Sequence, residues 1–175
     1  AGLDPYKLGR QVRSQVGVVT HDPLLYDALT GYENLRFVTR MFGLDRAGER
    51  IEAAAGRLGL SARLHQRVGT LSHGLKKRFT IARALLHDPK ILLMDEPESG
   101  LDQESQTTLD TLIRDPAASF GSVLITTHSP ERAAAVGDRV AILARGLIAH
   151  TEPIGRDTDP DAIRRLYAEY AGAVQ

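Results

Sequence analysis

The apolar run Ile91-Leu92-Leu93-Met94 stops abruptly on two acids, Asp95-Glu96, with Pro97 directly behind them. Few patterns restrict a fold more. A short apolar run without alternation marks a strand covered on both faces, as in parallel sheets. Open α/β sheets bind ligands outside the carboxyl ends of their strands, so this run delivers two carboxylates to the edge where chemistry is done. Burying such a pair with no ligand would be costly. Upstream, Leu71-Ser72-His73-Gly74-Leu75 opens an amphipathic segment; downstream, Ser99-Gly100-Leu101-Asp102 follows almost at once. Ser72 is a good N-cap, and Leu75, Phe79, Ala82 and Leu86 make an apolar stripe on the helix it starts. A helix N-terminus offers unpaired N–H groups and partial positive charge, and a small Ser-x-Gly there lets backbone approach a phosphate. Lys76, Lys77 and Arg78 are expected to be solvated first-turn charges. Asp102 is placed to N-cap a further helix with Leu109, Leu112 and Ile113 on its inner face.

The flanking sequence supplies the rest of an α/β layout. Val16-Gly17-Val18-Val19 reads as a short strand running into the loop Thr20-His21-Asp22-Pro23. Residues 24–70 read as helical: Leu35, Val38 and Phe42 share a face, Thr30 and Glu33 form a capping box, and Gly43 is a stop. A second stripe, Ile51, Ala54, Ala55 and Leu58, ends at Gly59. Ser122 to Thr127 is expected to be another buried strand, with His128 at its C-terminal end. Arg139–Leu143 and Leu147–His150 suggest a hairpin across Arg145-Gly146, and Asp159-Pro160 opens a helix with Ile163, Leu166, Tyr167 and Tyr170 on one side.

Composition excludes several classes. The 175 residues carry no net charge, so nothing pulls the chain toward nucleic acid or anionic lipid. Cysteine is absent, which removes disulfides and thiolate metal sites. No run is apolar and long enough to span a bilayer, and no signal peptide is visible. The expectation is a soluble, cytoplasmic protein whose contact with a membrane runs through a partner.

Leu-Ser-x-Gly, followed about twenty residues on by a hydrophobic-Asp-Glu-Pro strand and Ser-Gly-Leu-Asp, resembles the ATP-binding domain of ABC transporters. The resemblance implies a P-loop NTPase-like α/β fold, a mainly parallel sheet with an inserted helical subdomain. Residues 1–22 and 88–175 would form the catalytic core and 23–87 the subdomain. It further implies that Asp95 orients Mg²⁺, through water, and that Glu96 is the general base or water-positioning group for attack on the γ-phosphate of ATP. His128 would contact the γ-phosphate, and His21 stands where the family has the glutamine of its Q-loop. Leu71, Ser72, His73, Gly74 and Asp102 would face the ATP of a second nucleotide-binding subunit or the dimer interface. The family's common motif is Leu-Ser-Gly-Gly-Gln; here His73 replaces the first glycine and Leu75 the glutamine. A groove beside the Q-loop would receive a coupling helix from a transmembrane permease, placing the chain on the cytoplasmic face of the membrane. Asp22-Pro23-Leu24-Leu25-Tyr26 through Leu29-Thr30, and Glu33-Asn34-Leu35-Arg36-Phe37, are similar to the haem-exporter branch and to related drug or polysaccharide exporters.

One family element is missing from these residues. A phosphate-cradling loop needs G-x-x-x-x-G-K-[ST], yet lysine occurs only at Lys7, Lys76, Lys77 and Lys90, none of them after a glycine. The expectation is an N-terminally truncated domain that is itself inactive and binds ATP weakly. Two other readings stand beside a transporter ATPase. An ABC-type ATPase of DNA repair or chromosome organisation would share the motifs but carry long coiled coils, and no sustained heptads occur. A non-catalytic remnant with a packing or regulatory role is the other.

Overall fold

The computed structural model describes residues 6, 9–115, 121–155 and 157–172; Lys7 and the two ends of the expected catalytic core, 1–5 and 173–175, lie outside them. The chain separates into two compact units, Ala1–Thr126 and Thr127–Gln175.

The first unit starts with a short helix, α1 (Gly9–Arg13), and strand β1 (Val16–Val19). Two helices follow, α2 (Gly31–Phe42) and α3 (Ala47–Arg57), and then two single 3₁₀ turns, Ser61–Arg63 and Val68–Thr70. Helix α4 (His73–Leu85) leads into β2 (Ile91–Asp95), α5 (Gln103–Arg114) and β3 (Ser122–Thr126). The three strands form a parallel sheet in the order β1-β2-β3. Val16 to Val19 pair with Ile91 to Met94, and Ile91 to Asp95 pair with Ser122 to Thr126. Helices α2 to α4 are thus inserted between two neighbouring parallel strands, a crossover of the kind parallel pairing requires.

Local chemistry accounts for the ends of these elements. Thr30 accepts a hydrogen bond from the Glu33 N–H, the Glu33 carboxylate accepts one from the Thr30 N–H, and Gly43 closes α2 in the left-handed region. The helix begins only at Gly31, because Leu24 to Leu29 are turns and extended chain. Ser72 caps α4 through the Leu75 N–H, and Asp102 caps α5 through the Ser105 N–H at 2.9 Å.

One hydrophobic core holds the unit. Phe79, Ile81 and Ala82 of α4 join Leu35 of α2, Ile51 and Ala55 of α3, Leu92 and Met94 of β2 and Leu109 of α5. Helix α4 is buried on several faces, so it sits inside the unit rather than on it. Gly17 permits this. A Cβ there would lie 2.6 Å from the Ala84 carbonyl oxygen, so only glycine lets β1 meet α4 so closely.

Strand β3 corrects an expectation. It alternates between half-buried and exposed residues, and Leu124 is 64% exposed. Among the described residues it pairs with β2 alone, so one edge and one face stay open and its apolar run does not mean full burial.

The second unit carries helix α6 (Pro130–Val136), a hairpin of β4 (Arg139–Ala144) and β5 (Leu147–Pro153), and helix α7 (Pro160–Gly172). Arg145 and Gly146 both take positive φ, as a two-residue hairpin turn requires. Val140, Ile142, Ala134 and Ile163 form its small core, and His150 stacks on Tyr170 at 4.3 Å.

Candidate functional site

Strand β2 ends on Asp95, which is exposed, and Glu96, which is half-buried. The pair thus lies at the sheet edge and not in the core, where ionised groups would lose their hydration. Their backbone is held from the next strand. The Thr126 hydroxyl donates to Asp95 Oδ1 at 2.5 Å. The Glu96 N–H faces both the Thr126 carbonyl at 3.1 Å and its hydroxyl at 3.3 Å. Glu96 adopts φ 42, a left-handed conformation that costs a non-glycine residue on the order of 1 kcal/mol or more. The following turn is tied by Ser99 N–H to the Glu96 carbonyl and Leu101 N–H to the Glu98 carbonyl, at 3.1 and 3.0 Å.

The N-terminus of α4 packs against that turn. A side chain on Gly100, which has φ 75, would collide with the His73 ring, and a Cβ on Gly74 would lie 3.2 Å from the Gly100 carbonyl oxygen. Ser72 and His73 are exposed there, Gly74 is half-buried, and Leu71 is buried among the core residues. The structure thus brings Leu71 to Gly74 together with Ser99 to Asp102. Asp102 also faces Arg78 Nη2 at 3.8 Å. The two hydrogen bonds from Ser105, with Arg78 adding to them, hold the Asp102 carboxyl below its ordinary range.

The basic cluster of α4 is the main correction. Lys76 pairs with Asp27 at 2.9 Å, and Arg78 donates to the Leu58 carbonyl at 3.5 Å. Lys77 is only 2% exposed, and its ammonium donates to the Thr20 carbonyl at 3.3 Å. Burial pulls its pKa down, opposed by the carboxylates of Asp95, Glu98 and Glu96. None of the three is a solvated first-turn charge. A helical wheel carries the missed signal: Lys77 shares its face with Thr80, Ile81 and Ala84, which is not a solvent face.

The same face of α4 holds the loop after β1. The Thr80 hydroxyl donates to the Pro23 carbonyl at 3.0 Å. Arg83 donates to the carbonyls of Leu24 at 3.1 Å and Val18 at 3.3 Å. His21 is exposed at the centre of this anchored loop. His128 belongs to the second unit and is exposed, just ahead of Ser129, which caps α6 through the Arg132 N–H.

The donor set suits a magnesium ion shared with phosphate oxygens. Asp95 offers an accessible hard-oxygen donor with one oxygen already oriented by Thr126. Magnesium is ordinarily held by one or two carboxylates, phosphate and water. Among the described residues no helix is long and apolar enough to cross a membrane.

Comparison with known proteins shows the family of the chain. Residues 4–99 match the family model of the ABC transporter. The ABC transporter ATP-binding protein NatA of Bacillus subtilis is 34% identical over 152 residues, covering 85% of this chain and 62% of NatA. A fluoroquinolones export ATP-binding protein of Mycobacterium tuberculosis is 34% identical over 169 residues, 97% of this chain and 56% of that protein. The chain therefore spans about six-tenths of the length of these relatives. A solved ATP-binding subunit of an ABC transporter superposes with a TM-score of 0.79 at 26% identity, over 97% of this chain and 69% of that one.

Proposed function

Because this chain belongs to the ABC transporter family, we propose that it is the ATP-binding, ATP-hydrolysing component of a transporter whose membrane-spanning subunit is a separate chain. The observation that carries the reading is the acid pair at the end of the central strand, held by Thr126 beside the turn on which the N-terminus of α4 rests. The core formed by 1–22 and 88–175 supplies the reacting edge, and 23–87 is the helical subdomain.

In this reading Glu96 accepts a proton from the water that attacks the γ-phosphorus in line, and ADP departs as the bond to its β-phosphate oxygen breaks. Asp95, oriented by Thr126, would hold magnesium, which would supply charge neutralisation on the transferred phosphoryl group. His21 orients the attacking water from its loop, and His128 hydrogen-bonds the γ-phosphate. Leu71, Ser72, His73 and Gly74 present the N-terminal end of α4 to the ATP of a second nucleotide-binding subunit, while Asp102 stands at the dimer interface. The resemblance to exporters in residues 22–37, and the similarity to the fluoroquinolones export protein, support outward transport. The assembly would lie on the cytoplasmic face of the membrane.

Phosphate release by the full-length protein tests the assignment. Glu96→Gln keeps the shape but cannot take up a proton, so turnover is expected to fall by about 10²-fold or more while Mg-ATP binding persists. Turnover close to wild type would remove Glu96 from its role.

A further inference from the structure

Lys77 is a buried cation that the proposed chemistry does not use. Its ammonium reaches the carbonyl of Thr20, the first residue of the His21 loop after β1. Val19 pairs with Met94 across the sheet, so Thr20 and Asp95 leave their strands at the same level. The carboxylates of Asp95, Glu98 and Glu96 all act on this ammonium. A buried ammonium persists only where partners replace its water, and here the Thr20 carbonyl is such a partner.

We propose that Lys77 is a positioning residue: its ammonium, bonded to the Thr20 carbonyl, holds the loop bearing His21 within the electrostatic reach of the strand end bearing Asp95 and Glu96. Thr80 and Arg83, further along α4, hold the rest of the loop through the carbonyls of Pro23 and Leu24, and Arg83 also reaches the Val18 carbonyl of β1. A change of charge at the acids then reaches the loop through one side chain. The idea rests on the reading above only in taking these segments as the site. Its test contains no nucleotide, so it can fail while hydrolysis stands, and the reverse.

The experiment is ¹⁵N NMR on the chain itself, comparing wild type, Lys77→Met, Lys77→Arg, Asp95→Asn and the Lys77→Met/Asp95→Asn double variant. Methionine fills similar volume, and exposed Asp95 can be rehydrated, so the unit should stay folded. In Lys77→Met the order parameters of residues 20–22 and 24 are expected to fall from about 0.85 to below about 0.6, with those of α2 unchanged. Lys77→Arg should restore them, which a purely space-filling role would not require. Asp95→Asn should shift the amides of Thr20 and His21 in the wild-type background and not in the Lys77→Met background. The proposal is overturned if the loop ignores Asp95→Asn, or responds equally with methionine at position 77. Should Lys77→Met fail to fold, the loop's response to Asp95→Asn with and without Lys77→Arg decides: no response in either background sinks the proposal.

Discussion

At the residue scale, the site depends on small polar contacts that are cheap singly and specific together. Thr126 serves both acids, donating to Asp95 and lying beside the Glu96 N–H. Thr126→Val keeps the shape and the backbone pairing but removes the donor to Asp95. The expected loss is about 1 kcal/mol, from the mean worth of a hydrogen bond, and Thr126→Ser should recover most of it. Urea unfolding of the three proteins measures this; a valine variant as stable as wild type would mean that water holds Asp95 equally well. Neither Thr126 nor Lys77 stood out as a site residue in the sequence, although a helical wheel turns Lys77 away from solvent. A threonine ending a strand and a lysine beside a lysine and an arginine look ordinary, and only the β2–β3 register and the inward face of α4 give them partners.

At the element scale, local signals were strong and the structure follows them. Thr30 and Glu33 make both bonds of the capping box, and the two Thr30 hydrogen bonds hold the Glu33 carboxyl below its usual range. Thr30→Ala is expected to cost about 1 kcal/mol. The carboxylate bond adds stability above the unfolded carboxyl's pKa and loses it as pH falls through the lower folded value. In denaturant melts the gap between wild type and Thr30→Ala should narrow at acidic pH, as the hydroxyl–carboxylate bond is lost, yet persist, because the Glu33 N–H bond to the hydroxyl does not titrate; equal stability at neutral pH would mean that the cap contributes nothing. Elements failed where burial was inferred from composition. Apolar content alone cannot tell a central strand from an edge strand, and β3 is an edge among the described residues.

At the scale of the whole molecule, stability couples to pH through His87. Its ring stacks on Phe42 at 4.3 Å, and Nε2 lies 3.1 Å from the Val16 carbonyl. Burial lowers its pKa from 6.5, with the Val16 hydrogen bond and Asp88 opposing. The folded state therefore resists protonation and the unfolded state takes up the proton first. This contribution is whole above pH 6.5 and is lost as pH falls toward the depressed folded value. The slope of Tm against pH just below 6.5 should be shallower in His87→Gln than in wild type. Equal slopes would assign the acid sensitivity to other groups.

What the sequence determined alone was everything carried by contact with near neighbours along the chain. The caps at Thr30, Ser72 and Asp102, the stop at Gly43, the turn at Arg145-Gly146 and the strand ending on Asp95 all act over a few residues. The family resemblance was legible for the same reason, since its motifs are short and contiguous. The tertiary structure alone decided which polar groups meet across long separations: Lys77 with Thr20, Arg83 with Val18 and Leu24, and Thr126 with Asp95. Those contacts depend on the parallel register and on how deeply α4 sits against β1. Both are set by the packing of many residues at once, so no single stretch of sequence records them.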